Sequence, residues 1–239
     1  MSMLTIGIGF DERETLAYHV LCQSILSRST MPVRFIPIKL SMLGGIYDRK
    51  HDYKQSNEFS YSRFLLPYLC GYEGFSLYLD CDMLVRVDIA EIYSKINILN
   101  FVSVVQHDYT PKDTTKYLGA VQYAYPRKNW SSMMFFNNAR CQLRLSKYYV
   151  SNASGQDLHR FSWVDDDRIG SLDTGWNHLV GEYEPNPEAK IVHFTNGLPT
   201  WYPECEYADE WRAEASKVNY VKEWQPTSGY GDERQEKSA

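Results

Sequence analysis

Residues 78–85 read YLDCDMLV, a run of strand-forming apolar residues with two carboxylates near its middle. Successive side chains on a strand alternate between faces, so Asp80 and Asp82 are expected to project together with Cys81 opposite. Two like charges placed so close call for a shared positive partner.

Outward from this stretch, short β-rich runs alternate with helical patterns, the signature of an α/β protein with a mostly parallel sheet flanked by helices. The candidate strands are LTIGIGF (4–10), VRFIPIKL (33–40), FSLYLDCD (75–82), NFVSVVQH (100–107), SMMFFN (132–137) and AKIVHF (189–194). A first helix is expected after Asp11, where Leu16, Ala17, Val20, Leu21 and Ile25 recur at helical spacing. A second is expected over 59–69, kinked or ended early by Pro67. Segments 106–128 and 198–211, rich in Tyr, Trp, Pro and charge, read as loops over a cleft. The chain is expected to form a single domain over 1–224, with a nucleotide-binding half (1–105) and an acceptor-binding half (106–224), and a disordered polar tail over 225–239.

Composition removes several function classes. The 25 basic and 30 acidic residues provide no broad basic field, so nucleic acid is not an expected partner. No apolar run approaches the ~20 residues that cross a bilayer, and the N-terminus enters strand-like sequence directly, so a cytoplasmic location is expected, with peripheral membrane contact left open. Five scattered cysteines without C-x-x-C spacing read as reduced thiols. There is no P-loop, nucleophile elbow or H-E-x-x-H helix, and GIGFDE carries Glu12 where a dinucleotide fingerprint needs its third glycine.

What is left is Asp80-Cys81-Asp82 at the carboxyl end of a strand, where open α/β sheets bind ligands. Hard divalent cations choose carboxylates together with phosphate oxygens, and a diphosphate must be neutralised before it can leave. The two carboxylates are read as holding a metal–diphosphate complex, although a D-x-D triplet by itself is more often a solvated strand end.

The block EFSYSRFLLPYLCGYEGFSLYLDCDMLVRVDIAEI (58–92) resembles the glycosyltransferases of family 8 and related retaining enzymes, glycogenin-like or bacterial galactosyltransferase-like, with their Tyr-x-Arg-hydrophobic-x-x-Pro helix followed by YLD-x-D. NWSSMMFFN (129–137), WVDDDRIG (163–170), LDTGWNHL (172–179) and IVHFTNGLPTW (191–201) are similar to that family's later blocks, in the same order. The resemblance implies a GT-A fold, a Rossmann-like mixed sheet, and a metal-dependent, retaining transfer of a hexose from a UDP-sugar to a saccharide or other hydroxyl acceptor. Mn²⁺ or Mg²⁺ is the implied ion.

It also implies roles. Asp80, Asp82 and His193 would be metal ligands, and Gly9, Phe10 and Asp11 would meet the uracil and ribose. Asp11 followed by Glu14 equally reads as a helix cap and capping box. Arg63 would contact the donor sugar and diphosphate. Cys81, Asn129, Ser131, Ser132 and Asp165 would line the donor site. Asp166 stands where the family places Gln beneath the reacting sugar, so it would stabilise or attack positive charge at the anomeric carbon, unless the three acids of 165–167 simply start a helix.

One departure concerns the late motif. Where the family has His-x-x-Gly-x-x-Lys, this chain reads His193-Phe-Thr-Asn-Gly197-Leu-Pro-Thr-Trp201, without the lysine that holds the diphosphate. Thr195, Asn196 and the backbone near Gly197, or a basic residue from elsewhere, would have to replace it. Two alternatives follow: a nucleotide- or glycan-binding relative without turnover, and a sugar nucleotidyltransferase, although GIGFDERE lacks the Gly-rich basic loop of the latter.

Overall fold

The computed structural model describes residues 3–50, 55, 57–112 and 124–218. The strands are β1 (Leu4–Gly9), β2 (Val33–Ile38), β3 (Phe75–Leu79), β4 (Met83–Val85), β5 (Val102–Val105), β6 (Met133–Asn137), β7 (Ile169–Leu172), β8 (His178–Leu179) and β9 (Ile191–His193). The α-helices are α1 (Thr15–Leu26), α2 (Leu66–Leu69), α3 (Asn138–Cys141), α4 (Lys147–Asn152), α5 (Gly155–His159) and α6 (Ala208–Val218). Part of the expected cleft loop, residues 113–123, and the polar tail lie outside the described residues.

The main sheet has the order β2-β1-β3-β6-β5-β7. Its pairings are parallel except those on either side of β6, which runs against β3 and β5. The mixed, mostly parallel α/β sheet expected from sequence is therefore present. β1 is buried along its whole length, as a mostly apolar central parallel strand is, with Thr5 its one polar residue. β2 carries Pro37 and lies at the sheet edge, where a missing N–H costs no ladder bond.

α1 has two apolar faces. Leu21 and Ile25 pack into the core of the main sheet, whereas Ala17 and Val20 join a second core with Leu84, Val192, Phe194 and Trp211. That second core lies beneath a three-stranded sheet of order β4-β9-β8 and is closed by α6. The Glu214 carboxylate of α6 is buried and accepts hydrogen bonds from Ser27 (3.0 Å) and Arg28 (2.8 Å) at the end of α1.

Three local expectations differ from the structure. β3 ends at Leu79, so Asp80 and Asp82 lie on a corner between two sheets and not on one continuing strand. Pro67 does not end a helix over 59–69; a 3-10 turn over Ser62–Leu65 precedes it, and Pro67 sits in the first turn of α2, where its missing N–H would have had no partner. β7 was not anticipated, because IGSL is short and holds a glycine and a serine. No helix among the described residues is long and apolar enough to cross a membrane.

Candidate functional site

The corner 80–82 is tied to both sheets. The Asp80 N–H donates to the Ser132 carbonyl at the start of β6 (2.9 Å), and the Asp82 carbonyl accepts from the Phe194 N–H at the end of β9 (2.9 Å). Since Met83 pairs with His193 across β4 and β9, the triplet is held by backbone bonds against a histidine 111 residues beyond Asp82 in sequence. Asp80, Asp82 and His193 thus converge, with one potential ligand atom from each lying within 4.8 Å of the others.

The hydrogen-bond network decides how His193 is presented. Ser132 Oγ donates to the Asn129 carbonyl (2.7 Å), so it must accept from Asn177 Nδ2 (2.9 Å). That fixes Asn177 Oδ1 toward His193 Nδ1 (3.1 Å), which makes Nδ1–H the donor and leaves a lone pair on Nε2. Nε2 lies 3.3 Å from an Asp82 oxygen. At that distance one cation can be shared by the two groups, and two carboxylates with an imidazole form a donor set suited to a divalent ion such as Mn²⁺.

The surroundings add to this demand. Asp80 is buried, bridged by Arg63 Nη1 at 2.9 Å, and accepts from the Tyr78 hydroxyl at 2.7 Å. Burial pushes the Asp80 carboxyl up while Arg63 pulls it down, and Arg63, buried too, is kept protonated by Asp80. Arg63 Nη1 also donates to the Ser131 carbonyl (3.0 Å), so one guanidinium links the turn before α2, the corner and the approach to β6. Glu14 is pushed up to about 7, first by burial and then by Asp82, and accepts the Cys81 thiol at 3.3 Å. Cys81 therefore faces α1 and not the open side of the corner.

A cavity of about 730 Å³ opens over the corner. Of the residues singled out from sequence, Arg63, Asp80, Asp82, Asn129, Ser131, Ser132 and His193 line it, together with Thr195. Asn129 adopts a left-handed conformation (φ 62°), which asparagine tolerates, and its amide donates to the Tyr109 hydroxyl (2.8 Å).

The remaining candidates lie elsewhere. Asp11 is buried, caps the Arg13 N–H (3.0 Å) and pairs with the Arg13 guanidinium (2.6 Å); Arg13 outweighs burial and lowers its pKa. The second half of the expected capping box is not formed, because Glu14 is turned to Cys81. Gly9 ends β1 beneath the Phe59 ring, where a Cβ would lie 2.4 Å from the nearest ring carbon. Phe10 packs edge-on against Tyr18 and under Lys39. Asn196 and Gly197 line a separate apolar cavity with Trp201, Tyr202 and Pro203. Asp165 and Asp166 are both exposed at 78 %, and Asp166 pairs with Arg127 (2.7 Å) at the start of a short 3-10 turn, off the cavity lining. Arg127 also donates to the carbonyl of Arg160, a lining residue, so Asp166 stands at the rim.

The cavity also holds residues the sequence did not single out: Arg49, Tyr61, Tyr125, His159 and Arg160. Tyr61 stood within the Tyr-x-Arg motif, but the others are isolated residues in loops or short helices and carry no spacing signal.

No family model matches the chain. Over 225 residues it is 44% identical to protein CDI of Arabidopsis thaliana, covering 90% of this chain and 86% of that protein. The chain belongs to the family of protein CDI. Among solved structures, this CDI-family chain is similar to the bifunctional glycosyltransferase WbbM (TM-score 0.66, 13% identity, 92% of this chain), to the glycosyltransferase GlyE of Streptococcus pneumoniae (0.60, 13%, 91%) and to the galactosyltransferase LgtC solved with donor and acceptor sugar analogues (0.57, 12%, 92%). It spans 50% of the WbbM chain, 62% of GlyE and 98% of LgtC. At such low identity the likeness establishes the fold, that of the GT-A glycosyltransferases.

Proposed function

We propose that the chain is a metal-dependent glycosyltransferase of the family 8 type, moving a hexose from a UDP-sugar to a hydroxyl acceptor with retention of anomeric configuration. The observation that carries this reading is the convergence of Asp80, Asp82 and His193 at the floor of a cavity, in a fold shared with glycosyltransferases. The domain spans 1–224, and the protein works in the cytoplasm. Asp80, Asp82 and His193 would hold Mn²⁺ or Mg²⁺, which supplies charge neutralisation for a diphosphate leaving group.

The chain's own residues do the rest. Asn177 holds His193 in its ligand tautomer. Arg63, fixed by Asp80 and the Ser131 carbonyl, turns its remaining donors toward the donor sugar and diphosphate. Asn129, Ser131 and Ser132, on the cavity wall next to Arg63, offer polar groups to the sugar. The departing diphosphate accepts the proton of the attacking hydroxyl, so no side-chain base is needed on that face. Gly9, Phe10 and Asp11, at the end of β1, receive the nucleoside, with the Asp11 cap fixing that end of the strand. Asp166 is assigned to the anomeric carbon only if its pair with Arg127 opens; unchanged turnover in Asp166→Ala removes it from the mechanism.

The test is calorimetric titration of UDP with and without Mn²⁺ on the native protein and Asp82→Ala. Binding that requires the metal and disappears in the variant is expected. UDP binding by neither protein, with both folded, overturns the reading. The absent late lysine favours a second reading, a nucleotide-binding relative without turnover; UDP-sugar hydrolysis or transfer separates the two.

A further inference from the structure

The cavity carries more positive charge than a nucleotide-sugar with a neutral hexose can use. Among the described residues, its charged lining comprises Arg49, Arg63 and Arg160 against Asp80 and Asp82. Arg63 is matched by Asp80 at 2.9 Å. A divalent ion would be matched by the diphosphate it holds. What remains is Asp82 against Arg49 and Arg160, an excess of one positive charge.

Both arginines neighbour the Tyr61–His159 wall: Arg49 stacks on Tyr61, and Arg160 directly follows His159 in the chain. From the carboxylates, contacts lead through Arg63 to Ser131, whose hydroxyl meets His159 Nδ1 at 2.7 Å, and from His159 to the ring of Tyr61, 5.8 Å away between centroids. Arg49 stacks on that ring, 4.0 Å from its centroid, and donates to the Ala153 carbonyl. The same Tyr61 ring abuts Gly155, at the start of the turn that ends in Arg160. Burial, followed by Arg63 and Arg49, pushes His159 down to about 3, so it adds no charge of its own near neutrality.

Neither guanidinium is consumed by the fold. Both are half-buried, and among the described residues no carboxylate pairs with Arg49 or Arg160. Every other cavity-side arginine named above has one: Arg63 has Asp80, and Arg127 at the rim has Asp166. Arg49 is held by its stack on Tyr61 and its bond to the Ala153 carbonyl, and half-buried arginines that line a cavity without a carboxylate partner are anion receptors awaiting an anion.

We infer that Arg49 and Arg160 receive an anionic group on a substrate sugar, separate from the diphosphate: a carboxylate or phosphate on the sugar itself, the donor being a nucleotide-linked hexuronate. This rests on the reading of the cavity as a UDP-sugar site. The anionic group sits on the side of Arg63 and His159 remote from the metal ligands, so the sugar ring lies between the two charged ends and is oriented by them.

The experiment compares UDP-glucuronate with UDP-glucose, and, as a second arm, glucose 6-phosphate with glucose in the presence of UDP, all with Mn²⁺. Calorimetry is run on the native protein, on Arg160→Gln and on Arg49→Gln, with UDP alone as the control for folding. The native protein is expected to bind UDP-glucuronate about tenfold or more tighter than UDP-glucose, as one charge-assisted contact allows. Each variant is expected to lose that preference while keeping its affinity for UDP. A preference confined to the phosphate arm and lost in Arg160→Gln places the anion on the acceptor and still supports the arginine pair as its receptor. Equal binding of charged and neutral sugars in both arms, with UDP bound normally, overturns this inference and leaves the UDP-sugar reading intact. Failure to bind UDP at all overturns both.

Discussion

At the scale of single residues, the site depends on groups that orient other groups. Asn177 touches His193 and Ser132 at once, and it exists for the tautomer it imposes. Asn177→Leu is expected to weaken Mn²⁺-dependent UDP binding by about 10–100-fold, the usual cost of removing a partner behind a metal ligand. Isothermal titration with UDP at fixed Mn²⁺ measures it, and an unchanged affinity would remove Asn177 from the site. Arg63 has a structural duty as well as its proposed contact with substrate. Arg63→Leu leaves Asp80 buried without its cation, and the folded state should lose about 3–5 kcal/mol in urea denaturation. Arg63→Lys should recover little of that, because an ammonium cannot serve Asp80 and the Ser131 carbonyl in the same geometry. These residues differ in how visible they are in sequence. Asp80, Asp82 and Arg63 belong to a compact motif, and His193 to a strand whose pairing with β4 brings it in. Arg49, His159 and Arg160 reach the same cavity through irregular segments, which have no periodicity from which their neighbours can be foreseen.

At the scale of elements, α1 is the part on which both cores converge. Its periodicity was readable because Leu16, Ala17, Val20, Leu21 and Ile25 fit a helix, yet the division of labour was not: Leu21 and Ile25 face one core, Ala17 and Val20 the other, and Leu16 is exposed. The second core is completed by Trp211 of α6, which is 3% exposed. Trp211→Ala is expected to cost about 3–5 kcal/mol, the range for removing a large buried aromatic side chain. Thermal melting followed by circular dichroism checks the loss, and a melting curve unchanged from the native protein would mean that α6 does not contribute to the fold's stability. Six strands were legible as apolar runs, but β7 and β8 were not, and the edge position of β2 emerged only from the pairing. The end of β3 at Leu79 was not, since LDCDMLV shows no break in its strand-like character; the chain turns there because Asp80 bonds to the main sheet and Asp82 to the smaller one.

At the scale of the whole molecule, buried histidines tie stability to pH. Burial, then His193 and His178, pushes His107 down to about 3, and it is held neutral beside the Tyr183 hydroxyl at 2.8 Å. Between its folded value and the ordinary 6.5 the unfolded chain binds the extra proton, so stability rises with pH across that window and is lost as pH falls through it. His159 has the same sign. Melting temperature should therefore drop steadily from pH 6.5 downward, and His107→Gln should flatten the slope; an equally steep slope in the variant would assign the acid sensitivity to other groups. The overall α/β class was accessible from the alternation of strands and helices, because that pattern is set by local periodicity. The antiparallel β6 and the separate small sheet were not, because they depend on which strands meet and not on what each strand is. That second sheet gives the corner at 80–82 a mechanical meaning. The carboxylates are carried where β3 leaves the larger sheet and β4 enters the smaller, and the histidine comes from β9 of the smaller sheet alone. An ion held there is a rivet across a seam: its loss should free the two sheets to slide, and the loosening should reach amides far from any sugar, such as Arg86 N–H on the Lys190 carbonyl, as faster hydrogen exchange.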